Sequence, residues 1–78
     1  MRLSEAVLSH TYTVTSVEVV NEIYNSRVVQ LGIIPGVEVQ LVKKAPIFKD
    51  PLLFNLGESQ IALTTEEASH VLIEEVGS

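Results

Sequence analysis

Along residues 11–20, Thr-Tyr-Thr-Val-Thr-Ser-Val-Glu-Val-Val, apolar side chains alternate with polar ones, but the phase changes part-way. Tyr12 and Val14 form one set, Val17 and Val19 the other. Residues two apart share one face of a strand, so an unbroken strand would turn one of these sets into solvent. The slip at Thr15 and Ser16 therefore predicts a β-bulge or a sharp bend. Ahead of this strand, Ser4 is placed to cap a single helical turn, with Glu5 at its positive end.

The period then lengthens. Tyr24, Val28 and Leu31 fall at i, i+4 and i+7, one face of a helix, with Asn21 as its cap. Gly32 follows the last periodic residue, where a glycine closes a helix in the left-handed conformation. Pro35 presets the second position of a turn, and Gly36 supplies the positive φ that the third position of a type II turn requires. Between the two stops, Ile33 is expected to plug one end of the core and Ile34 to project from it. Alternation resumes at residues 37–44, with Val37, Val39 and Leu41 on one face and Glu38 and Gln40 on the other, as in a half-buried antiparallel strand.

Pro46 and Pro51 bracket a loop over residues 45–51, since neither proline fits a central strand. Residues 52–56 and 59–63 read as a hairpin turning at Gly57 and Glu58, with Leu52, Phe54 and Leu56 on one face. Thr64 and Glu67 have the spacing of a capping box, followed by Ala68, Val71 and Leu72 at helical spacing. Residues 73–76 are a short last strand, and Gly77 and Ser78 a loose end or a non-native tail. The expected fold is mainly β: a small, partly open β-barrel of about five strands with one mid-chain helix and a short helical turn before the last strand. Closure of this kind protects strand edges. No linker or repeat divides the chain, so residues 1–78 are expected to form a single domain.

Composition narrows the function. With 78 residues and no cysteine, neither disulfides nor a thiolate zinc site supplement the core. A net charge of −5 with only five basic residues argues against nucleic acid as a partner. No apolar run is long enough for a membrane span or has the form of a signal peptide, so the expected location is cytoplasmic and no membrane insertion is expected.

The order helix, Leu31-Gly32, Pro35-Gly36, strand, Ala45-Pro46, Asp50-Pro51, hairpin ending Ile61-Ala62-Leu63, then Glu66-Glu67-Ala68 resembles the FeoA family over nearly the whole chain. The resemblance implies an SH3-like fold, also found at the carboxyl end of iron-dependent repressors. It further implies a small cytoplasmic partner of FeoB, the membrane GTPase that transports ferrous iron. Two features depart from the family pattern. Ile47, Phe48 and Lys49 stand where a shorter, glycine-containing loop is common, and Thr64 stands where an arginine often follows the fourth strand.

No catalytic residue is expected. There is no Gly-rich phosphate loop and no cysteine, and neither histidine has a serine and a carboxylate spaced for a triad. No cofactor is expected either. Glu67 and His70, at i and i+3, match half of a di-iron carboxylate site and are weak metal candidates. Such a site needs a second copy of the motif and further carboxylates, and Glu67 already has a capping task. No metal site is therefore assigned. His10 reads as a solvated or hydrogen-bonded histidine.

Ile34, Ile47 and Phe48 are apolar residues outside periodic elements and form the expected partner-binding patch. Phe48 could equally fold back over the barrel end. Gly32, Pro35 and Gly36 are assigned to structural turns. The leading expectation is a non-enzymatic accessory protein docking on FeoB. The alternatives are a metal-sensing domain of the repressor type and a polyproline-binding barrel, the latter poorly furnished by two Tyr, two Phe and no Trp. Homo-oligomerisation is left open.

Overall fold

Five antiparallel strands lie in the order β4-β3-β2-β1-β5, where β1 is Thr11–Val17, β2 Glu38–Lys44, β3 Leu52–Leu56, β4 Ser59–Leu63 and β5 Val71–Glu75. The two outer strands do not pair with each other, so the barrel is open along one side. A 3-10 turn, Leu3–Glu5, precedes β1. Helix α1, Glu22–Gln30, links β1 to β2, and helix α2, Thr65–Ser69, links β4 to β5. The computed structural model describes residues 1–44 and 50–76, with the side chain of Tyr24 outside that set. Ala45, Pro46, Ile47, Phe48 and Lys49, and with them most of the expected loop and two residues of the expected patch, also lie outside the described residues, as do Gly77 and Ser78.

The interior is built from alternate strand positions. Tyr12 and Val14 of β1, Val39 and Leu41 of β2, Leu52 and Phe54 of β3, and Ile61 and Leu63 of β4 are all buried. The phase slip in β1 is a bulge between Val14 and Ser16 in the pairing with β5, which leaves Thr15 exposed and returns Val17 to the core edge. Gly32 (φ 95°) and Gly36 (φ 99°) both sit in the left-handed region. The Val37 N–H donates to the Ile34 carbonyl at 3.2 Å, closing a turn with Gly36 at its third position. Between the two turns Ile33 is fully buried, a burial that stabilises by about 1.5–3 kcal/mol.

Three expectations are corrected. Arg2, not Ser4, precedes the first turn, and Ser4 lies inside it. There the Glu5 carboxylate accepts from the Arg2 backbone N–H at 2.8 Å. Val19 is not part of an inward set, because β1 ends at Val17 and Val19 is 92% exposed. Val71 and Leu72 belong to β5 rather than to the helical turn, since α2 stops at Ser69 and the Val71 side chain enters the core from the strand.

Candidate functional site

Helix α2 is only five residues long, too short to hold itself, and both its ends are tied to other elements. At its start the Thr64 hydroxyl accepts from the Glu67 N–H at 3.0 Å, while the Glu67 carboxylate accepts from the Thr64 N–H at 2.9 Å. Asp50 accepts from the Thr65 N–H at 2.6 Å. At its end the Arg2 guanidinium donates to the Ser69 carbonyl at 2.7 Å and pairs with Glu18.

Glu67 is the one charged side chain buried among the described residues. Arg27 of α1 donates to it from Nε at 2.5 Å and reaches the Ala62 carbonyl from Nη2 at 3.3 Å, stapling α1 to β4 and α2. Burial alone pushes the Glu67 carboxyl up, but the Thr64 N–H and the Arg27 guanidinium outweigh it and hold the group below the ordinary carboxylate value. The hydrogen bond from Arg2 likewise lowers the Glu18 carboxyl. Desolvation opposes that shift, and the Arg2 charge and the neighbouring His70 reinforce it.

Sequence spacing predicts one helix for Glu67 and His70, but α2 ends at Ser69 with His70 as its C-cap, and the surroundings of the two side chains differ. Glu67 faces inward to Thr64 and Arg27, whereas His70 Nδ1 stands 3.5 Å from Glu18. Among the described residues, no group of three or more His, Asp and Glu side chains is arranged to hold a metal ion. His10 Nδ1 lies 3.1 Å from the Glu75 carboxylate, with its ring stacked near Tyr12.

The more distinctive surface is apolar. Val19, Val20 and Ile23 are exposed by 92%, 42% and 82%. Their segment is firmly built. The Glu18 N–H donates to the His70 carbonyl at 2.8 Å, Asn25 Nδ2 donates to the Glu18 carbonyl at 3.0 Å, and the Val20 N–H donates to Asn25 Oδ1 at 3.0 Å. A loop pinned in this way presents aliphatic side chains without the ordering cost that a flexible one would meet on binding. Ile34 is also exposed, at the opposite end of α1, and Val29 lies between them beside a shallow depression lined by Asn25, Ser26 and Gln30.

Sequence reasoning missed Val19 and Val20 because it continued the β1 alternation too far, and it missed Ile23 because it followed only the Tyr24, Val28 and Leu31 face of the helix. The available signal was helical: Ile23 stands five positions before Val28, on the side of α1 away from its buried residue.

The FeoA domain family model matches residues 1–75. The chain belongs to the FeoA family. A solution structure of iron(II) transport protein A from Clostridium thermocellum is 32% identical, with a TM-score of 0.89. The match covers 97% of this chain but 46% of that one, so the chain spans about half the length of that relative. Stenotrophomonas maltophilia FeoA, crystallised with zinc and described as an SH3 domain protein proposed to activate bacterial ferrous iron transport, is 36% identical with a TM-score of 0.78. There the match covers 95% of this chain and 89% of the other. A manganese-dependent transcriptional repressor shares the fold, at TM-score 0.86 over 97% of this chain and 41% of its own, with 12% identity. No curated protein sequence matches the chain. The family membership and the SH3-like fold that the resemblance implied are thus established.

Proposed function

We propose that this FeoA-family chain is a non-enzymatic, cytoplasmic accessory protein of bacterial ferrous iron uptake that docks on a FeoB-type membrane GTPase and supports or regulates its transport cycle. The observation that carries this reading is the family match across residues 1–75, which spans every described element. The surface supports it. Exposed aliphatic side chains on a pinned loop and at both ends of α1 are what an interface core uses. No helix among the described residues is long and apolar enough to cross a membrane, so the transport pathway itself is assigned to the partner.

The residues proposed for contact are Ile34 together with Ile47 and Phe48, joined by Val19 and Ile23. Residues 1–78 are proposed to act as one domain. The test is uptake of radiolabelled Fe(II) by cells that carry the transporter with or without this chain. Uptake that changes when the chain is restored supports the reading. Uptake indifferent to the chain, with the transporter expressed equally, contradicts it.

A further inference from the structure

The sheet has two edges, and the chain treats them differently. On the outer side of β5, the Ile73 N–H donates to the Met1 carbonyl at 2.8 Å and Arg2 bridges to Leu72. Further along the same strand, the exposed Glu74 and Glu75 place charge on the edge, a device that deters another strand from pairing there. Strand β4, at the opposite edge, reads Ser59-Gln60-Ile61-Ala62-Leu63 and contains neither a charge nor a proline.

Register fixes which groups of β4 point outward. Leu56 pairs with Ser59 across the two-residue loop Gly57-Glu58, and Gly57 has φ 63°. The residues flanking such a loop form a hydrogen-bonded pair, and the pattern alternates from there. Ser59, Ile61 and Leu63 therefore direct their N–H and C=O groups to β3, whereas Gln60 and Ala62 direct theirs away from it. The Arg27 bond to the Ala62 carbonyl agrees with this parity, because the guanidinium approaches from outside the sheet. Thr64, the next outward residue, is consumed by the α2 cap: its N–H donates to Glu67 and its carbonyl accepts from the Ala68 N–H. Among the described residues, the Gln60 N–H and C=O and the Ala62 N–H have no partner.

We infer that this edge is a self-association surface on which a second copy of the chain adds its own β4, antiparallel, about a two-fold axis at Ile61. In that register Gln60 of one protomer lies opposite Ala62 of the other, and both such pairs exchange N–H and C=O groups. The Ala62 carbonyl has a second lone pair for the incoming N–H while Arg27 keeps the first. The arrangement is self-complementary in size and sets no two acids opposite each other. A long Gln60 side chain meets a small Ala62 on the exposed face, and Glu58 falls opposite Thr64 rather than opposite another acid. Each copy carries a net charge of −5, so the pairing works against long-range repulsion and strengthens as salt screens it. This inference does not depend on the transport reading.

Sedimentation equilibrium of the full chain from micromolar to millimolar concentration, at low and at high salt, reads the association directly. The expected result is a shift from the mass of one chain to that of two, at lower concentration in high salt. Ala62→Pro removes the outward N–H at a position where an edge strand tolerates proline, and it should abolish the dimer while circular dichroism stays that of the wild type. Gln60→Lys, which keeps every backbone group and adds edge charge, should weaken the dimer in the same direction and serves if the proline variant fails to fold. Amide exchange at Gln60 and Ala62 should slow as concentration rises. A chain that stays monomeric at millimolar concentration, or a dimer that both folded variants retain undiminished, would overturn the inference.

Discussion

Gly32 and Gly36 have nearly the same positive φ, yet their surroundings differ. At Gly36 an added Cβ meets nothing within 4 Å, so a substitution costs only the strain of positive φ. At Gly32 the same atom would stand 3.1 Å from Leu56 Cδ2, adding a steric term. We expect Gly36→Val to destabilise the fold by about 1–3 kcal/mol, with Gly36→Asn costing less because asparagine tolerates the left-handed region. Gly32→Ala should cost more than Gly36→Ala. Urea unfolding of the four variants checks this, and equal stability of Gly36→Val and wild type would show that the turn is not held as described.

Glu67 makes the second prediction at this scale. Its folded value is depressed, so the stability it contributes is complete above the unfolded carboxylate value of about 4.3 and is lost as pH falls through the lower folded value. Glu67→Gln keeps an acceptor for the Thr64 N–H but removes the charge that pairs with Arg27, and should cost about 1–3 kcal/mol at neutral pH, toward the low end because Arg27 is half exposed. The variant should also lose less stability than wild type between about pH 5 and pH 3. Identical acid profiles would mean that the Glu67 charge contributes nothing to folding.

At the scale of elements, α1 gives the clearest contrast. It buries Val28 but exposes Ile23 and Val29. Val28→Ala should cost about 2 kcal/mol, whereas Ile23→Ser and Val19→Ser should stay within about 0.5 kcal/mol of wild type. Thermal or urea melts of these three variants decide whether the exposed aliphatics serve folding or something outside the molecule. A large loss from Ile23→Ser would place that residue in the core.

Elements defined by local chemistry were readable from the chain: the bulge at Thr15, the turns at Gly32 and Gly36, the hairpin at Gly57 and the Thr64–Glu67 capping box each depend on a few neighbouring residues. The end of β1 and the start of β5 were not, because alternation continues past Val17 on paper and only pairing stops it. Nor were the ion pairs. Arg27 and Glu67 lie 40 positions apart and Arg2 and Glu18 lie 16 apart, so their meeting depends on the whole chain path. For the same reason the pinned loop beneath Val19 was hidden, since its supports come from His70 and Asn25.

For the whole molecule, the interior accounts for the fold and the surface must account for the function. With Glu67 committed to Thr64 and Arg27, and His70 beside Glu18, we expect the isolated chain to bind Fe(II), Mn(II) or Zn(II) no more tightly than millimolar. Anaerobic titration calorimetry checks this, and a stoichiometric submillimolar site lost in His70→Ala would favour the metal-sensing alternative. The most direct test of the account is binding of the full chain to the purified cytoplasmic GTPase domain of the FeoB-type transporter from the same genome, measured by calorimetry or sedimentation. The account predicts a saturable complex that is lost in Val19→Asp, Ile23→Asp or Ile34→Asp variants whose circular dichroism is unchanged. No complex at millimolar concentration of both proteins, or one that every folded variant forms as well as wild type, would contradict it.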